Sequence, residues 1–214
     1  FYGKQVEGIF QTKEEVASHA TQSGNQPGDL KYKNLDDNDN IIDNNDRTVI
    51  GNSIPKYTYS FTLGATYKGA ELSLFFQGVE GVDTYTNGNL AFPYQNGAGV
   101  TPEWLTNAWT PENPTAKLPR LTTSRGYPAN FEASDFWVKD ASYLRLKNIQ
   151  LSYNLPKRWV KTIKIDKVKV FVNAQNLLTF TKFKLGDPER DVMREGLIEY
   201  PLAKAITGGV NITF

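Results

Sequence analysis

The last ten residues constrain the chain most. Between positions 205 and 214, Ile206, Val210, Ile212 and Phe214 fall on one face of an extended backbone, with Gly208 among them. Thr207, Gly209, Asn211 and Thr213 fall on the other. Period two over this length predicts a β-strand with one apolar and one polar face. Two architectures use such a strand. A transmembrane β-barrel needs about ten residues, apolar outward and polar inward. A soluble sandwich instead packs the apolar face of its edge strand on a second sheet.

The same period recurs upstream. Over 57–68, Tyr57, Tyr59, Phe61, Leu63, Ala65 and Tyr67 share one face, with tyrosines at both ends as an interfacial girdle requires. A short turn at Lys68-Gly69-Ala70 leads into 71–79, and the two segments read as a hairpin. In 142–155 the phase slips: Leu144 and Leu146 oppose Ile149, Leu151 and Tyr153, and a bulge near Lys147-Asn148 restores one apolar face. A strand over 167–176 and the terminal one follow, and 2–10 reads as a further strand. The connections alternate in length: 11–56, 80–141 and 177–204 are long, whereas 69 and 156–166 are short. Short turns on one side and long loops on the other mark an outer-membrane barrel and raise that reading above the sandwich. The expectation is therefore all-β: about six strands of a large antiparallel barrel with long extracellular loops and a periplasmic C-terminus. A short helix is expected within 13–20.

Six strands cannot close a transmembrane barrel, and unclosed edges facing lipid are not tolerated. The start, Phe1-Tyr2-Gly3-Lys4, carries neither an initiator Met nor a signal-peptide pattern. Both features lead to the expectation that the chain is the later part of a longer polypeptide.

Composition removes several function classes. The chain has 24 basic and 23 acidic residues, so no global field favours nucleic acid or anionic lipid. It has no cysteine, which excludes disulfides and thiolate metal sites, and one histidine, His19, which removes His-rich metal sites and leaves no other imidazole as the base of a triad. The loop carboxylates Glu112, Glu132, Asp135 and Asp140 show no spacing that pairs two of them, so no enzyme activity is expected.

The densest polar cluster lies in 34–46, where Asp and Asn alternate. Hard oxygen ligands of this kind suit Ca²⁺, and Asn34, Asp36, Asn38, Asp43 and Asp46 are the candidate cation ligands. Asp36, Asn38 and Asn40 match the first half of an EF-hand loop, but Ile41 occupies its glycine position and Arg47 its glutamate position. The alternative is a solvated run of Asx turns. The 80–141 loop carries Tyr85, Phe92, Tyr94, Trp104, Trp109, Tyr127, Phe131, Phe136 and Trp137. These either stack on sugars and anchor a partner or form a satellite core that holds the loop together.

In order along the chain stand Phe1-Tyr2-Gly3, Val6-Glu7-Gly8-Ile9-Phe10, Gly28-Asp29-Leu30-Lys31-Tyr32 and Asp46-Arg47-Thr48-Val49-Ile50-Gly51. Leu74-Phe75-Phe76-Gln77-Gly78, Trp109-Thr110-Pro111-Glu112-Asn113-Pro114 and Ser134-Asp135-Phe136-Trp137 follow. Tyr143-Leu144-Arg145-Leu146-Lys147-Asn148 and Gln175-Asn176-Leu177-Leu178-Thr179 complete the series. Together they resemble the C-terminal portion of the SusC/RagA family of TonB-dependent outer-membrane transporters, across essentially the whole chain. The Asx-rich loop departs from the family form by lacking glycine. The resemblance implies a 22-stranded barrel in the outer membrane of a Bacteroidetes-like Gram-negative cell, of which residues 1–214 are the C-terminal part, without the N-terminal plug and earlier strands. It also implies active uptake of oligosaccharides or peptides with a SusD-like surface lipoprotein, powered by TonB through the absent N-terminal region. Lys169, Asn173, Gln175 and Asn211 would then line the lumen. The competing expectation is a secreted, calcium-binding, carbohydrate-binding β-sandwich.

Overall fold

The computed structural model describes residues 1–36, 38–89, 91–123, 127–161, 165–189, 200 and 202–214. The strands are β1 (Tyr2–Lys4), β2 (Val6–Ile9), β3 (Leu30–Tyr32), β4 (Arg47–Val49), β5 (Tyr57–Tyr67), β6 (Ala70–Glu80), β7 (Asp83–Tyr85), β8 (Val138–Asp140), β9 (Tyr143–Asn154), β10 (Lys167–Thr181) and β11 (Ala205–Thr213). Among the described residues three short α-helices accompany them: α1 (Lys13–Ser18), α2 (Pro102–Asn107) and α3 (Lys157–Val160). The chain divides into two compact units. One contains Phe1–Ile54 and Val82–Asp140; the other contains Pro55–Gly81, Ala141–Glu189 and Tyr200–Phe214.

The second unit is a five-stranded sheet in the order β11-β10-β9-β6-β5. Every pairing in it is antiparallel, so the long strands meander up and down. Lys68 and Gly69 both have positive φ, 45° and 88°. That is the two-residue turn whose twist matches an antiparallel hairpin, and Gly69 takes the second left-handed position at no steric cost. The expected bulge is present. Asn148 pairs with Phe75 and Leu146 with Phe76, leaving Lys147 as the extra residue. The slip brings Leu144, Leu146, Ile149, Leu151 and Tyr153 onto one face. On the neighbouring strand, Gln175 pairs with Asn148 and Leu178 with Leu146, so β10 bulges opposite and runs on to Thr181.

The apolar face is continuous across all five strands. Phe61 pairs with Phe76, Leu72 with Leu151, Leu151 with Val172, and Val170 with Val210. The Phe61 and Phe76 rings stack 4.9 Å apart. Tyr59 lies over Gly78, where any Cβ would collide with its ring, so the glycine gives the tyrosine its seat. No second sheet covers this face among the described residues: all of β5 is exposed, and so are Leu151, Val172, Leu178, Phe180, Ile206 and Val210. A sandwich would have buried them.

The 2–10 segment is not a sixth strand of this sheet. It breaks at Gln5 into β1, paired with β4, and β2, paired with β3. Its backbone donors go to loop partners, Lys4 N–H to the Ala133 carbonyl (2.9 Å) and Val6 N–H to Asp135 Oδ1 (2.9 Å). Those bonds tie it into the first unit despite its alternating pattern.

That unit has a conventional core. Leu30 and Tyr32 pack with Ala20 and Ile42. Phe92, Phe131, Trp104 and Trp137 form a ring cluster, with Phe92 and Trp137 centroids 4.8 Å apart. Buried indoles need partners for their N–H groups. Trp104 Nε1 donates to the Ala91 carbonyl, Trp137 Nε1 to the Asn130 carbonyl and Trp109 Nε1 to Gln11 Oε1, each at 2.9 Å. Phe92, Trp104, Trp109, Tyr127, Phe131 and Trp137 are buried and make the satellite core, whereas Tyr94 stands exposed. The expected helix in 13–20 is α1, capped by Thr12 Oγ1 accepting from Glu15 N–H (3.2 Å).

Candidate functional site

The polar face of the five-stranded sheet carries the chemistry of its unit. β10 sets Lys169, Phe171, Asn173 and Gln175 on this face, and Lys169 pairs with Asn211 of β11. The four expected lumen residues thus share one surface. Phe171 lies over Gly209, where a Cβ would meet its ring. Glu71 accepts from Lys169 Nζ (2.6 Å), Asn154 Nδ2 (2.7 Å) and Ser152 Oγ (3.3 Å). Asn173 Nδ2 donates to Asn148 Oδ1 (3.0 Å). Amides and paired charges at this density offer donors and acceptors to a polar solute while leaving few bare charges.

Beside the bulge, the same face holds a cluster that sequence spacing does not reveal. Arg145 is 2% exposed. Its Nη2 donates to Asp187 Oδ1 (2.5 Å), and its Nη1 lies 3.1 Å from Glu189 Oε2. Lys147 Nζ reaches Glu189 Oε1 at 2.5 Å. A buried guanidinium is tolerable only with such partners, and removing one from a buried pair costs about 3–5 kcal/mol. Burial works to raise the Asp187 carboxyl, but the Arg145 hydrogen bond and the Glu189 N–H outweigh it and hold the group below the usual carboxylate range. The cluster straps the chain after β10 back onto β9. The partners stand 42 positions apart in sequence, and the phase slip at Lys147 was the only local signal.

The five candidate cation ligands come together differently. Asp46 is fully buried and acts as a hub. Its Oδ1 accepts from Leu35 N–H (2.6 Å) and Asp36 N–H (3.1 Å), and its Oδ2 from Asp43 N–H (2.7 Å). Asp36 Oδ1 accepts from Asn38 N–H (3.0 Å) and from the Asn38 side-chain amide. Asp43 Oδ1 accepts from Asn45 N–H (2.6 Å), and Asn34 Nδ2 donates to the Asp39 carbonyl (2.9 Å). These are Asx turns nested around one carboxylate. Among the described residues no group of three or more His, Cys, Asp or Glu side chains converges to hold a metal ion. Burial raises the Asp46 carboxyl, but the N–H groups of Asp43, Leu35 and Asp36 and the charge of Lys4 prevail, and it lies below its ordinary value.

A second hub in the same unit explains other residues of the motif series. Asp29, fully buried, accepts from Arg120 Nε (2.6 Å), Asn130 Nδ2 (2.8 Å) and Gln26 N–H (2.9 Å). Asn130 Oδ1 accepts in turn from Leu30 N–H (2.8 Å). Gly28 has a φ of 91°, and a Cβ there would collide with the Trp109 indole, so glycine is required on both counts. Glu132 pairs with Lys4 at 2.7 Å and Asp135 holds Val6 N–H, so these carboxylates serve the fold and do not pair with each other.

No family model matches the chain. Two TonB-dependent receptors of Formosa agariphila are 31% and 33% identical to it; each match covers 100% of this chain and 22% of the relative. The chain thus spans about a fifth of the length of the curated relatives it matches. Among solved structures it is similar to the RagAB peptide importer in its "open-open" state, with a TM-score of 0.70 at 24% identity, covering 100% of this chain and 22% of that one. It is also similar to the RagAB peptide transporter, with a TM-score of 0.68 at 25% identity, covering 100% of this chain and 23% of that one.

Proposed function

Because the chain belongs to the SusC/RagA-type TonB-dependent receptors, we propose that residues 1–214 are the C-terminal part of an outer-membrane barrel that imports oligosaccharides or peptides. In this reading the polar face of β5, β6, β9, β10 and β11 is a stretch of lumen wall, and the apolar face meets lipid. The observation that carries it is that continuous apolar face, exposed on β5, β9, β10 and β11 and half-buried on β6, with no second sheet over it among the described residues. Such a surface needs an apolar counterpart, and on a barrel wall that counterpart is lipid hydrocarbon. The short connections after β5 and β9 lie toward the periplasm, as does the C-terminus.

Import is binding and gated passage without covalent chemistry. Glu71, Lys169, Asn173 and Asn211 offer weak, replaceable hydrogen bonds along the wall, while the Arg145 cluster holds the chain after β10 in place. TonB supplies the drive through a part of the receptor outside this chain, and a SusD-like surface lipoprotein captures cargo at the outer mouth. The RagAB peptide transporter supports peptides as one cargo class.

The test is uptake in cells that carry the intact receptor with its lipoprotein, supplied with fluorescent oligosaccharide and peptide pools. Accumulation of one pool that disappears on deleting TonB is the expected result. Accumulation indifferent to TonB, or a receptor recovered in the soluble fraction without detergent, overturns the proposal.

A further inference from the structure

We propose that the rim of the sheet carrying the short connections is a docking surface for the phosphate head groups of anionic phospholipid, an inference that rests on the barrel reading above. Three backbone bonds make this rim one continuous edge. Asn154 N–H donates to the Gly69 carbonyl (2.8 Å), Leu155 N–H to the Val168 carbonyl (2.9 Å), and Asp166 N–H to the Thr213 carbonyl (2.9 Å). They join the Lys68-Gly69 turn, the 155–166 connection and the end of β11.

Five cations stand on that edge: Lys68, Lys157, Arg158, Lys161 and Lys167, all exposed. Among the described residues none of them is in an ion pair. The cations of the polar face behave oppositely, since Lys169, Arg145 and Lys147 each hold a carboxylate. Asp166 is the one acid among the described residues of the 155–167 segment, in a chain whose basic and acidic totals differ by one (24 against 23). The imbalance is therefore concentrated here. It sets a positive rim beside an apolar face, which is the field that anionic head groups fit.

The aromatics of the rim carry the same orientation. Tyr67, 70% exposed, ends the apolar face of β5, and Lys68 Nζ sits 5.2 Å from its ring centre. Trp159, 56% exposed, lies beneath the Arg158 guanidinium at 5.9 Å. Trp159 is held out rather than loose, because the adjacent Val160 is buried and its carbonyl accepts from Ile165 N–H. An exposed ring with a cation beside it places one group at the acyl boundary and the other at phosphate depth.

The experiment uses the intact receptor in nanodiscs of phosphatidylglycerol and phosphatidylcholine at equal mole fraction. Native mass spectrometry then reads the phospholipid retained on the released protein. Retained lipid enriched about fivefold or more in phosphatidylglycerol, the preference that one cation at an anionic surface confers, is the expected result. It should fall to the bulk ratio in a variant combining Lys68→Gln, Lys157→Gln, Arg158→Gln, Lys161→Gln and Lys167→Gln. Lys56→Gln, at the opposite end of β5, serves as the folded control and keeps the enrichment. Equal retention of both lipids by the wild type overturns the proposal, as does enrichment unchanged in the five-fold variant. A receptor that never enters nanodiscs refutes the barrel reading instead, so the two failures are distinguishable.

Discussion

The two units use the same residue types in opposite ways. In the first, Trp104 and Trp137 are each 3% exposed and their indole N–H groups are satisfied. In the second, Tyr57, Leu63, Val172 and Ile206 stand on a face that nothing in the unit covers. Polar groups are reversed as well. The first unit buries Asp29 and Asp46 as hydrogen-bond hubs, whereas the second, apart from the buried Arg145, spreads its amides over one face of the sheet. Both arrangements obey one rule: each surface takes the polarity of what it meets. The difference teaches that water shaped the first unit and that hydrocarbon is the counterpart of the second.

The largest effect that sharpens this comparison is expected at Asp29. Asp29→Ala leaves the Arg120 guanidinium and the Asn130 amide without their acceptor in a buried site, at a cost of about 3–5 kcal/mol. Limited proteolysis of the intact receptor should then cut within 1–54 or 82–140 while the sheet stays protected. If the sheet strands become equally susceptible, the two units do not unfold independently and the comparison weakens.

A somewhat smaller effect separates lipid from water on the other unit. Leu63 sits near the middle of β5 on the apolar face, and Thr62 beside it faces the polar side. Leu63→Arg should cost about 2–4 kcal/mol in a bilayer, the penalty for arginine near the midplane, while Thr62→Arg should change little. Urea unfolding of the receptor in lipid vesicles measures both. A neutral Leu63→Arg would mean that the exposed face meets water, which breaks the contrast between the units.

How much of this is visible in the sequence follows the range of the interactions. Period two is local, so the five long strands, their two faces and even the bulge at Lys147 are legible residue by residue. The 2–10 segment has the same local pattern, yet its partners, Ala133 and Asp135, lie more than a hundred positions away, and periodicity cannot see them. The Arg145 cluster is hidden for the same reason. Its acids follow a strand end that no motif ties to β9. The Asx-rich loop is hidden in another way. Residue type marks it as a dense set of side-chain oxygens, but only the backbone path shows that the carboxylates of Asp36, Asp39, Asp43 and Asp46 accept from N–H groups.

That loop supports the smallest and most specific prediction. The Asp46 carboxyl is depressed in the folded state by N–H donors from Asp43, Leu35 and Asp36. A depressed folded value means that the ionised form contributes stability above the unfolded value of about 4, and that this contribution is lost as pH falls through the lower folded value. Asp46→Asn removes the charge and turns an amide toward donors it cannot fully accept. The variant should therefore exchange the Leu35, Asp36 and Asp43 amides faster at pH 7, with the difference from wild type narrowing below about pH 4. Hydrogen exchange resolved to these amides tests the sign. Millimolar calcium added to the wild type should leave the three rates unchanged, because the hub carboxylate is already satisfied. Calcium-dependent slowing that is absent in Asp46→Asn would instead make the loop an ion site, and the Asp46 carboxylate would no longer be satisfied from within the first unit.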